Sequence, residues 1–308
     1  MQQSTTQVPQ DHKAGFVNII GKPNVGKSTL VNALVGEPLS VITPKAQTTR
    51  HRIKGILNGE NYQIIFSDTP GIVENPGYAM HKAMNQFVKS AFEDADILLW
   101  VVDATRPKET LPESWLEAFN KLHVTKFVVL NKVDAVDRSS VEAQLMRLRN
   151  QVRAELFLDI SATTGYHLPE LLQAIIDHLP NFPPYYPKDE TLSDLPLRFF
   201  IAEMIREQIF YLYREEIPYS TEVVIDTFKE PDDESKHYRI RAIIYVARQS
   251  QKHILIGKGG QAIKQLGIRA RQRIEHYLGA PVYLELYVKV LKNWRDDQKL
   301  LQKLGYPL

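Results

Sequence analysis

The sequence predicts an α/β domain with a mostly parallel sheet and helices on both faces, followed by a smaller α+β domain. Short apolar runs typical of strands alternate with helical stretches through the first 180 residues. Five prolines then fall between positions 180 and 196. After them the predicted order changes to helix, two strands, two helices and a strand. The change of pattern across a proline-rich segment indicates two domains.

The first domain contains five strand-like runs, at 16–20, 62–67, 97–102, 126–130 and 155–160, and a more polar run at 52–57 that could add a sixth. Helical stretches lie between them, at 27–35, 79–93, 112–122, 139–153 and 168–178. Parallel sheets of this kind bind ligands at the carboxyl ends of their strands. We therefore expect functional residues directly after the strand-like runs.

The domain boundaries follow from composition. Residues 1–14 are polar and lack the apolar segment of a signal peptide, so we expect a flexible tail. Residues 15–180 form the first domain, 181–196 the linker and 197–308 the second domain. No apolar run reaches the roughly 18–20 residues of a spanning helix.

The composition excludes several classes of chemistry. The 308 residues contain no cysteine, which rules out disulfides, thiolate metal sites, iron–sulfur clusters and cysteine nucleophiles. The net charge of +2 is unlike that of a histone-like protein, and 44% hydrophobic residues argue against disorder. The charge is uneven, however, because 236–273 holds ten Lys or Arg and no acidic residue. A stretch of one sign favours a polyanion-binding surface.

The first strand is followed by Gly21-Lys22-Pro23-Asn24-Val25-Gly26-Lys27-Ser28, which fits the pattern GxxxxGK[ST]. Such a loop wraps a phosphate with backbone N–H groups, and the helix after it adds the positive end of its dipole. We expect Lys27 to reach the β- and γ-phosphates and the Ser28 hydroxyl to bind Mg²⁺.

Two further motifs follow other strands. Asp68-Thr69-Pro70-Gly71 places an acid where it can hold the same Mg²⁺ through a water, with the Gly71 amide near the γ-phosphate. Asn131-Lys132-Val133-Asp134 offers a carboxylate that can accept from both N1–H and the amine of guanine, a donor pair that adenine lacks. We expect Asn131 to tie this loop to the phosphate loop and Lys132 to lie along the base. After the next strand, Ser161-Ala162 can offer an amide to guanine O6.

The order of these motifs resembles that of a translation-factor-class GTPase domain, over residues 15–180. The resemblance implies a P-loop NTPase fold that hydrolyses GTP to GDP with Mg²⁺. It also implies a switch threonine that binds the metal, which we place at Thr49, with Thr48 as the near alternative. The implied catalytic residues are Lys27, Thr49, Asp68 and Gly71, and the implied metal ligands are Ser28, Thr49 and Asp68. The implied nucleotide-binding residues are Gly21, Lys22, Pro23, Asn24, Val25, Gly26, Lys27, Ser28, Thr29, Asp68, Thr69, Pro70, Gly71, Asn131, Lys132, Asp134, Ser161 and Ala162.

One residue departs from Ras-like enzymes, which place a glutamine directly after this DxxG motif to orient the attacking water. Ile72 occupies that position here and cannot orient water, so a backbone group, a partner or a bound monovalent cation must position it. Asn24 resembles the P-loop asparagine of GTPases in which K⁺ replaces an arginine finger, so K⁺ is a candidate cofactor. An equally weighted alternative is that Asn24 only stabilises the loop.

The second domain contains Ile256-Gly257-Lys258-Gly259-Gly260 between two helical stretches. This segment and the order of elements resemble a type II KH domain, whose GXXG loop clamps about four nucleotides of single-stranded RNA. The aromatic residues of 197–213 are spaced for a helix and belong to the core. The expected RNA contacts are Ile256, Gly257, Lys258, Gly259 and Gly260, together with the basic residues Lys252, Lys264, Arg269, Arg271 and Arg273.

The two domains together resemble the Era GTPase family, from about residue 14 to 306 and including Leu284–Val290. The resemblance implies a monomeric bacterial-type assembly factor that binds the 3′ end of small-subunit ribosomal RNA under control of its nucleotide. It implies a cytoplasmic location with peripheral association with the inner face of the cell membrane. Two alternatives stay open: a constitutive RNA-binding module with a structural nucleotide pocket, and a GTPase whose KH domain docks a protein.

Overall fold

The computed structural model describes residues 11–188, 191–232 and 236–307. The chain divides into two compact units. The first comprises the described residues up to Ser40, with Thr49–Asn75 and Met84–Asp194. The second comprises Val41–Thr48, Pro76–Ala83 and the described residues from Leu195 onward. The sequence did not predict that two short segments from the first 180 residues belong to the second unit. Most of the predicted linker belongs to the first unit.

The strands of the first unit are β1 (Lys13–Ile20), β2 (Ile53–Asn58), β3 (Tyr62–Asp68), β4 (Ile97–Asp103), β5 (Thr125–Asn131) and β6 (Leu156–Asp159). Within the described part of the chain they form one sheet in the order β2-β3-β1-β4-β5-β6. Only β2 is antiparallel to its neighbour, β3; the remaining pairs are parallel. The predicted mostly parallel sheet is confirmed, including the polar strand.

The helices of this region are α1 (Lys27–Val35), α2 (Ala79–Glu93), α3 (Glu113–Lys121), α4 (Arg138–Gln151) and α5 (Leu168–His178). Every residue of β4 is buried, as expected for a central parallel strand. Trp100 of this strand packs edge-on against Phe119 of α3, with ring centroids 5.7 Å apart.

The start of the first domain differs from the prediction. The strand β1 begins at Lys13, inside the predicted tail, and Ala14 is completely buried. His12 is buried as well, and its Nδ1 lies 2.8 Å from the carbonyl oxygen of Phe182. The rest of the predicted tail, residues 1–10, lies outside the described residues.

The second unit contains α6 (Leu197–Leu212), α7 (Ile217–Ser220), β7 (Thr221–Lys229), β8 (Tyr238–Val246), α8 (Gln249–Ile256), α9 (Gln261–Leu278), β9 (Val282–Val290) and α10 (Gln298–Lys303). The described strands form a sheet in the order β7-β8-β9, antiparallel in the first pair and parallel in the second. Phe200 and Phe210 of α6 are buried, as predicted for the aromatic residues of this stretch, whereas Tyr211 is 51% exposed and does not belong to the core. None of the helices described here is both long enough and apolar enough to cross a bilayer.

Candidate functional site

The phosphate loop lies between β1 and α1, where three residues have positive φ. Gly26, with φ 96°, precedes α1 directly, Asn24 has φ 65° and Gly21 has φ 150°. A Cβ on Gly26 would collide with the side-chain amide of Asn131. Glycine is therefore required here both for the backbone conformation and for the close approach of the neighbouring loop.

Lys27 is buried within this loop. Its ammonium group donates hydrogen bonds to the carbonyl oxygens of Gly21, at 3.2 Å, and Lys22, at 2.8 Å. Burial lowers the pKa of Lys27 from its ordinary value of 10.5 to about 8, although the charges of Asp68 and Glu109 act in the opposite direction. A buried lysine held by carbonyl oxygens is placed to exchange them for anionic phosphate oxygens.

The three expected magnesium ligands lie together. The Ser28 hydroxyl donates to Asp68 Oδ2 at 2.7 Å and lies 3.0 Å from Thr49 Oγ1, which in turn lies 3.4 Å from Asp68 Oδ2. Burial raises the pKa of Asp68, while the hydrogen bond from Ser28 and the charge of Lys27 oppose the rise. The other carboxylate oxygen of Asp68, Oδ1, is buried with no hydrogen-bond partner among the described residues. Two hydroxyls and an unsatisfied carboxylate oxygen fit a Mg²⁺ site completed by phosphate and water.

Thr48 is directed elsewhere. Its hydroxyl donates to the carbonyl oxygen of Lys45 at 2.8 Å and lies 2.7 Å from Thr43 Oγ1. The geometry therefore favours Thr49 over Thr48 as the metal-binding threonine.

The segment after Asp68 is hydrogen-bonded to β1 and to the phosphate loop. The Thr69 hydroxyl donates to the carbonyl oxygen of Ile19 at 2.6 Å, and the Ile72 amide donates to that of Gly21 at 3.2 Å. The Ile72 side chain is buried, so this position contributes packing and cannot orient water.

Asn131 joins the loop 131–134, which we call the base loop, to the phosphate loop, as predicted. Its side-chain amide donates to the carbonyl oxygen of Val25 at 2.9 Å, and its Oδ1 accepts from the Ala162 amide at 3.0 Å. Of the two residues expected to offer an amide to guanine O6, Ala162 has its amide engaged by Asn131 here, so this amide would have to be shared.

Lys132 is held by a residue that sequence reasoning missed. Its ammonium group donates to the Asn24 carbonyl oxygen and to Asp103 Oδ2, both at 2.6 Å. Burial alone would raise the pKa of Asp103, but hydrogen bonds from Lys132 and Thr105 lower it below its ordinary range. Asp103 ends β4 at the carboxyl edge of the sheet, where functional residues are expected, and this position could have identified it from the sequence.

A pocket of about 310 Å³ lies beside the base loop, large enough for a purine ring. Asp134 and Ser161 line it, together with Asp159, Arg138 and Tyr166. This places the predicted base-selecting carboxylate in a cavity at the carboxyl end of the sheet.

The glycine-rich loop of the second unit connects α8 to α9. Gly257 has φ 74°, and a Cβ there would lie 2.6 Å from the Cβ of Ala262, so glycine is required at this position. Gly260 adopts φ 76° before α9, and a Cβ there would meet nothing within 4 Å. Gly259 and Lys258 lie at the exposed tip of the loop.

A groove of about 330 Å³ runs between α9 and β9. It is lined by Ile263, Lys264, Gly267, Ile268, Arg271, Leu284 and Leu286. Two of the five predicted basic contacts, Lys264 and Arg271, therefore lie in the groove. Arg273 instead faces α6, where its Nε lies 3.3 Å from Glu207 Oε2, and Lys252 and Arg269 do not line the groove.

Comparison with known families matches both units. A family described as 50S ribosome-binding GTPase matches residues 16–132, and a KH domain family matches residues 216–295. GTPase Era from Carboxydothermus hydrogenoformans is 40% identical over 96% of this chain and 98% of its own length. The chain belongs to the Era GTPase family. It is therefore a GTP-hydrolysing enzyme with a carboxyl-terminal KH domain.

Other Era proteins are equally similar. Era from Leuconostoc citreum is 43% identical over 96% of each chain. A crystal structure of Era in complex with MgGDPNP and nucleotides 1506–1542 of 16S ribosomal RNA superposes with a TM-score of 0.90 at 41% identity, covering 96% of this chain and all of that one. Aquifex aeolicus Era bound to GDP and aluminium fluoride superposes equally well, with a TM-score of 0.90 at 41% identity. The fold class predicted from the sequence is confirmed.

Proposed function

We propose that this Era GTPase is a nucleotide-controlled switch that binds the 3′ end of small-subunit ribosomal RNA and assists assembly of the small subunit. Support comes from the related Era structure that holds a 16S ribosomal RNA segment together with MgGDPNP. The glycine-rich loop and the groove beside α9 supply the features that a KH domain needs to clamp single-stranded RNA.

The observation that carries the switch is the division of the chain. Thr49, next to the predicted metal ligands Ser28 and Asp68, belongs to the first unit, whereas Val41–Thr48 belongs to the KH unit. In the same way, the stretch that contains Gly71 belongs to the first unit, whereas Pro76–Ala83 belongs to the KH unit. Thr49 and the stretch around Gly71, the two switches of this proposal, are thus each covalently continuous with a segment of the KH unit.

Segment 41–48 is held on α6 by hydrogen bonds from three side chains. Arg206 donates to the carbonyl oxygen of Thr48 at 2.6 Å, and the Tyr211 hydroxyl donates to that of Ile42 at 2.8 Å. The Lys45 ammonium group donates to the carbonyl oxygens of Phe210 and Tyr213 at the end of the helix. A cation on the last carbonyls of a helix satisfies groups that lack intrahelical partners and complements the helix dipole.

Segment 76–83 is held by the residues after β9. The Met80 amide donates to the carbonyl oxygen of Arg295 at 2.8 Å, and the Ala79 amide donates to Asp296 Oδ1 at 3.1 Å. The Arg295 guanidinium lies 3.9 Å from the centroid of the Tyr78 ring, a cation–π contact. The amino end of α2 is therefore capped by the carboxyl-terminal part of the KH unit.

These attachments give the proposed cycle its physical basis. With GTP bound, Thr49 would hold the metal and Gly71 would contact the γ-phosphate, and segments 41–48 and 76–83 would transmit their positions to the KH unit. Hydrolysis removes the γ-phosphate and releases both switches. If GTP raises the affinity for RNA, RNA must raise the affinity for GTP by the same factor.

The metal and water-positioning roles follow from the residues present. Ser28, Thr49 and Asp68 would hold Mg²⁺, which supplies positive charge to the phosphates when bound. Ile72 cannot orient the attacking water. We therefore propose that Asn24 is a ligand for K⁺. Faster phosphate release in K⁺ than in Na⁺, lost in Asn24→Ala, would support this role, and equal rates in both ions would exclude it.

The RNA partner is tested by crosslinking the protein to RNA in cells and sequencing the recovered fragments. We expect fragments from the 3′ end of small-subunit ribosomal RNA, and their loss in Gly259→Asp, which adds negative charge at the proposed phosphate clamp. Recovery of the same fragments with Gly259→Asp would contradict a KH-mediated contact and favour docking of a protein. A cytoplasmic location with peripheral membrane contact follows from family membership alone and stays a prediction.

A further inference from the structure

The strand β9 presents alternate side chains to two different surfaces. Leu284 and Leu286 line the groove beside α9, whereas Tyr283 and Tyr287 are 60% and 46% exposed. Successive side chains of a strand point to opposite faces of the sheet, so the two tyrosines share the face turned away from the groove. Two exposed aromatic rings on one face offer flat surfaces on which a ligand ring can stack.

Basic side chains surround these tyrosines. In the sheet register, Arg239 pairs with Tyr283 and also with Lys229 of β7, so the three lie side by side across the strands. Arg241, two residues further along β8, is on the same face, and its guanidinium lies 5.6 Å from the centroid of the Tyr287 ring. We call Tyr283, Tyr287, Lys229, Arg239 and Arg241 the outer tyrosine face.

The charges on this face are only partly compensated. Arg241 Nε lies 3.0 Å from Glu285 Oε2, and Arg241 Nη1 lies 3.9 Å from Asp226 Oδ2. These two carboxylates therefore fix one guanidinium beside the Tyr287 ring. Three further positive charges lie on the outer surface of the sheet. They belong to Lys229 of β7, Arg239 of β8 and Lys289, which shares the face of β9 with the two tyrosines.

A pocket of about 240 Å³ lies between the basic residues and the first tyrosine. It is lined by Thr227, Lys229, Arg239, Ile240, Arg241, Tyr283 and Glu285. A flat ring beside cationic groups suits a nucleobase with its phosphate, because the base stacks on the aromatic ring and the phosphate meets the cations. An acidic protein would meet the cations equally well, but it does not offer a flat group at every unit of its chain as a nucleic acid does.

We propose that the outer tyrosine face is a second binding site for single-stranded RNA, which extends the strand held in the groove. The inference rests on the proposed RNA-binding function. Leu284 and Leu286 in the groove alternate with Tyr283 along β9, so RNA that leaves the groove needs only to pass around this strand to reach the tyrosines. Tyr283 and Tyr287 are four residues apart, roughly 13 Å along an extended strand, and so stack separate bases.

The test compares two RNAs copied from the 3′ end of small-subunit ribosomal RNA, one of about four nucleotides, which fills the groove, and one of about 16. Affinities are measured by fluorescence anisotropy for the full-length protein with GTP analogue bound. We expect the double variant Tyr283→Ala/Tyr287→Ala to bind the long RNA at least about tenfold more weakly and the short RNA unchanged. The matched variant Tyr283→Phe/Tyr287→Phe keeps both rings and should bind both RNAs as the wild type does.

The variant Gly259→Asp separates this site from the groove. It should weaken binding of both RNAs, and failure of the wild type to bind either RNA would overturn the proposed function itself. Unchanged affinity of the alanine variant for the long RNA would overturn the second site alone and leave the face to a protein partner. Equal losses for the short and long RNAs would also overturn it, because the tyrosines would then act on the groove or on folding.

Discussion

Arg206 donates a hydrogen bond from Nη2 to the carbonyl oxygen of Thr48, over 2.6 Å. Both groups are buried, and the same guanidinium is paired with Glu203 on the preceding turn of α6, with Nε 2.7 Å from Glu203 Oε1. Burial alone would lower the pKa of Arg206, but the charge and hydrogen bonds of Glu203 raise it above its ordinary value. A permanently charged guanidinium in the KH unit is therefore hydrogen-bonded to the backbone immediately before Thr49.

Replacing Arg206 by methionine should destabilise the protein by about 3–5 kcal/mol, because Glu203 would keep its buried charge without this cation. The free energy of unfolding in urea measures the loss. The double variant Glu203→Leu/Arg206→Met removes both charges and should recover most of the stability.

The same double variant tests the link to the nucleotide. It folds without the hydrogen bond to the Thr48 carbonyl, so we expect its affinity for RNA to depend less on the bound nucleotide than that of the wild type. A ratio of RNA affinities in the GTP-analogue and GDP states equal to the wild-type ratio would show that this bond transmits nothing.

Asp134→Asn should lower the affinity for GTP by about 10²–10⁴-fold, since two hydrogen bonds to a charged group are lost or reversed. Affinity for XTP should rise relative to GTP, because the xanthine ring offers an acceptor where guanine offers an amine. Displacement of a fluorescent GDP analogue measures both values. Unchanged GTP affinity would mean that the pocket beside Asp134 does not hold the base.

The buried ammonium of Lys27 predicts a pH dependence of the nucleotide-free protein. With a pKa of about 8 in the folded state and 10.5 as its ordinary value, Lys27 binds fewer protons when folded than when unfolded across that range. The free energy of unfolding from this group therefore increases as pH rises from about 8 to 10.5, by about 3 kcal/mol in all. The difference between wild type and Lys27→Met in urea unfolding should show this slope, and parallel pH profiles would contradict it.

The basic residues of α9 should divide by their surroundings. Lys264→Ala and Arg271→Ala should each weaken RNA binding and reduce the dependence of log affinity on log salt concentration by about 0.7. Arg273→Gln is the matched control, because Arg273 pairs with Glu207 and should leave the salt dependence unchanged. A larger change in the salt dependence of RNA binding for the Arg273 variant than for the Lys264 variant would contradict RNA binding in the groove.

Local patterns predicted most of the first unit because each motif sits on a strand end that hydrophobicity already marks. The link from Asn131 to the phosphate loop and the adjacency of Ser28 and Asp68 both follow from the carboxyl ends of parallel strands sharing one edge. The role of Asp103 was missed although it ends β4, because a single aspartate after a strand carries no spacing pattern.

The contacts that hold segments 41–48 and 76–83 on the KH unit could not be predicted from local patterns. Lys45 caps a helix about 165 positions away in the sequence, and Asp296 caps α2 across more than 200, so neither has a signal within its own stretch of chain. Arg206 gave a faint signal, as one of few charged residues in an apolar helix. For Arg273, charge alone suggested an RNA contact, and only the structure reveals the facing Glu207.

The coupling of nucleotide to RNA is tested most directly by measuring the affinity of the wild-type protein for one RNA, copied from the 3′ end of small-subunit ribosomal RNA, with GDP and with a non-hydrolysable GTP analogue bound. We expect tighter binding with the GTP analogue, and an increase of the same factor in the affinity for the analogue relative to that for GDP when RNA is present. Equal RNA affinities in the two nucleotide states would contradict the switch.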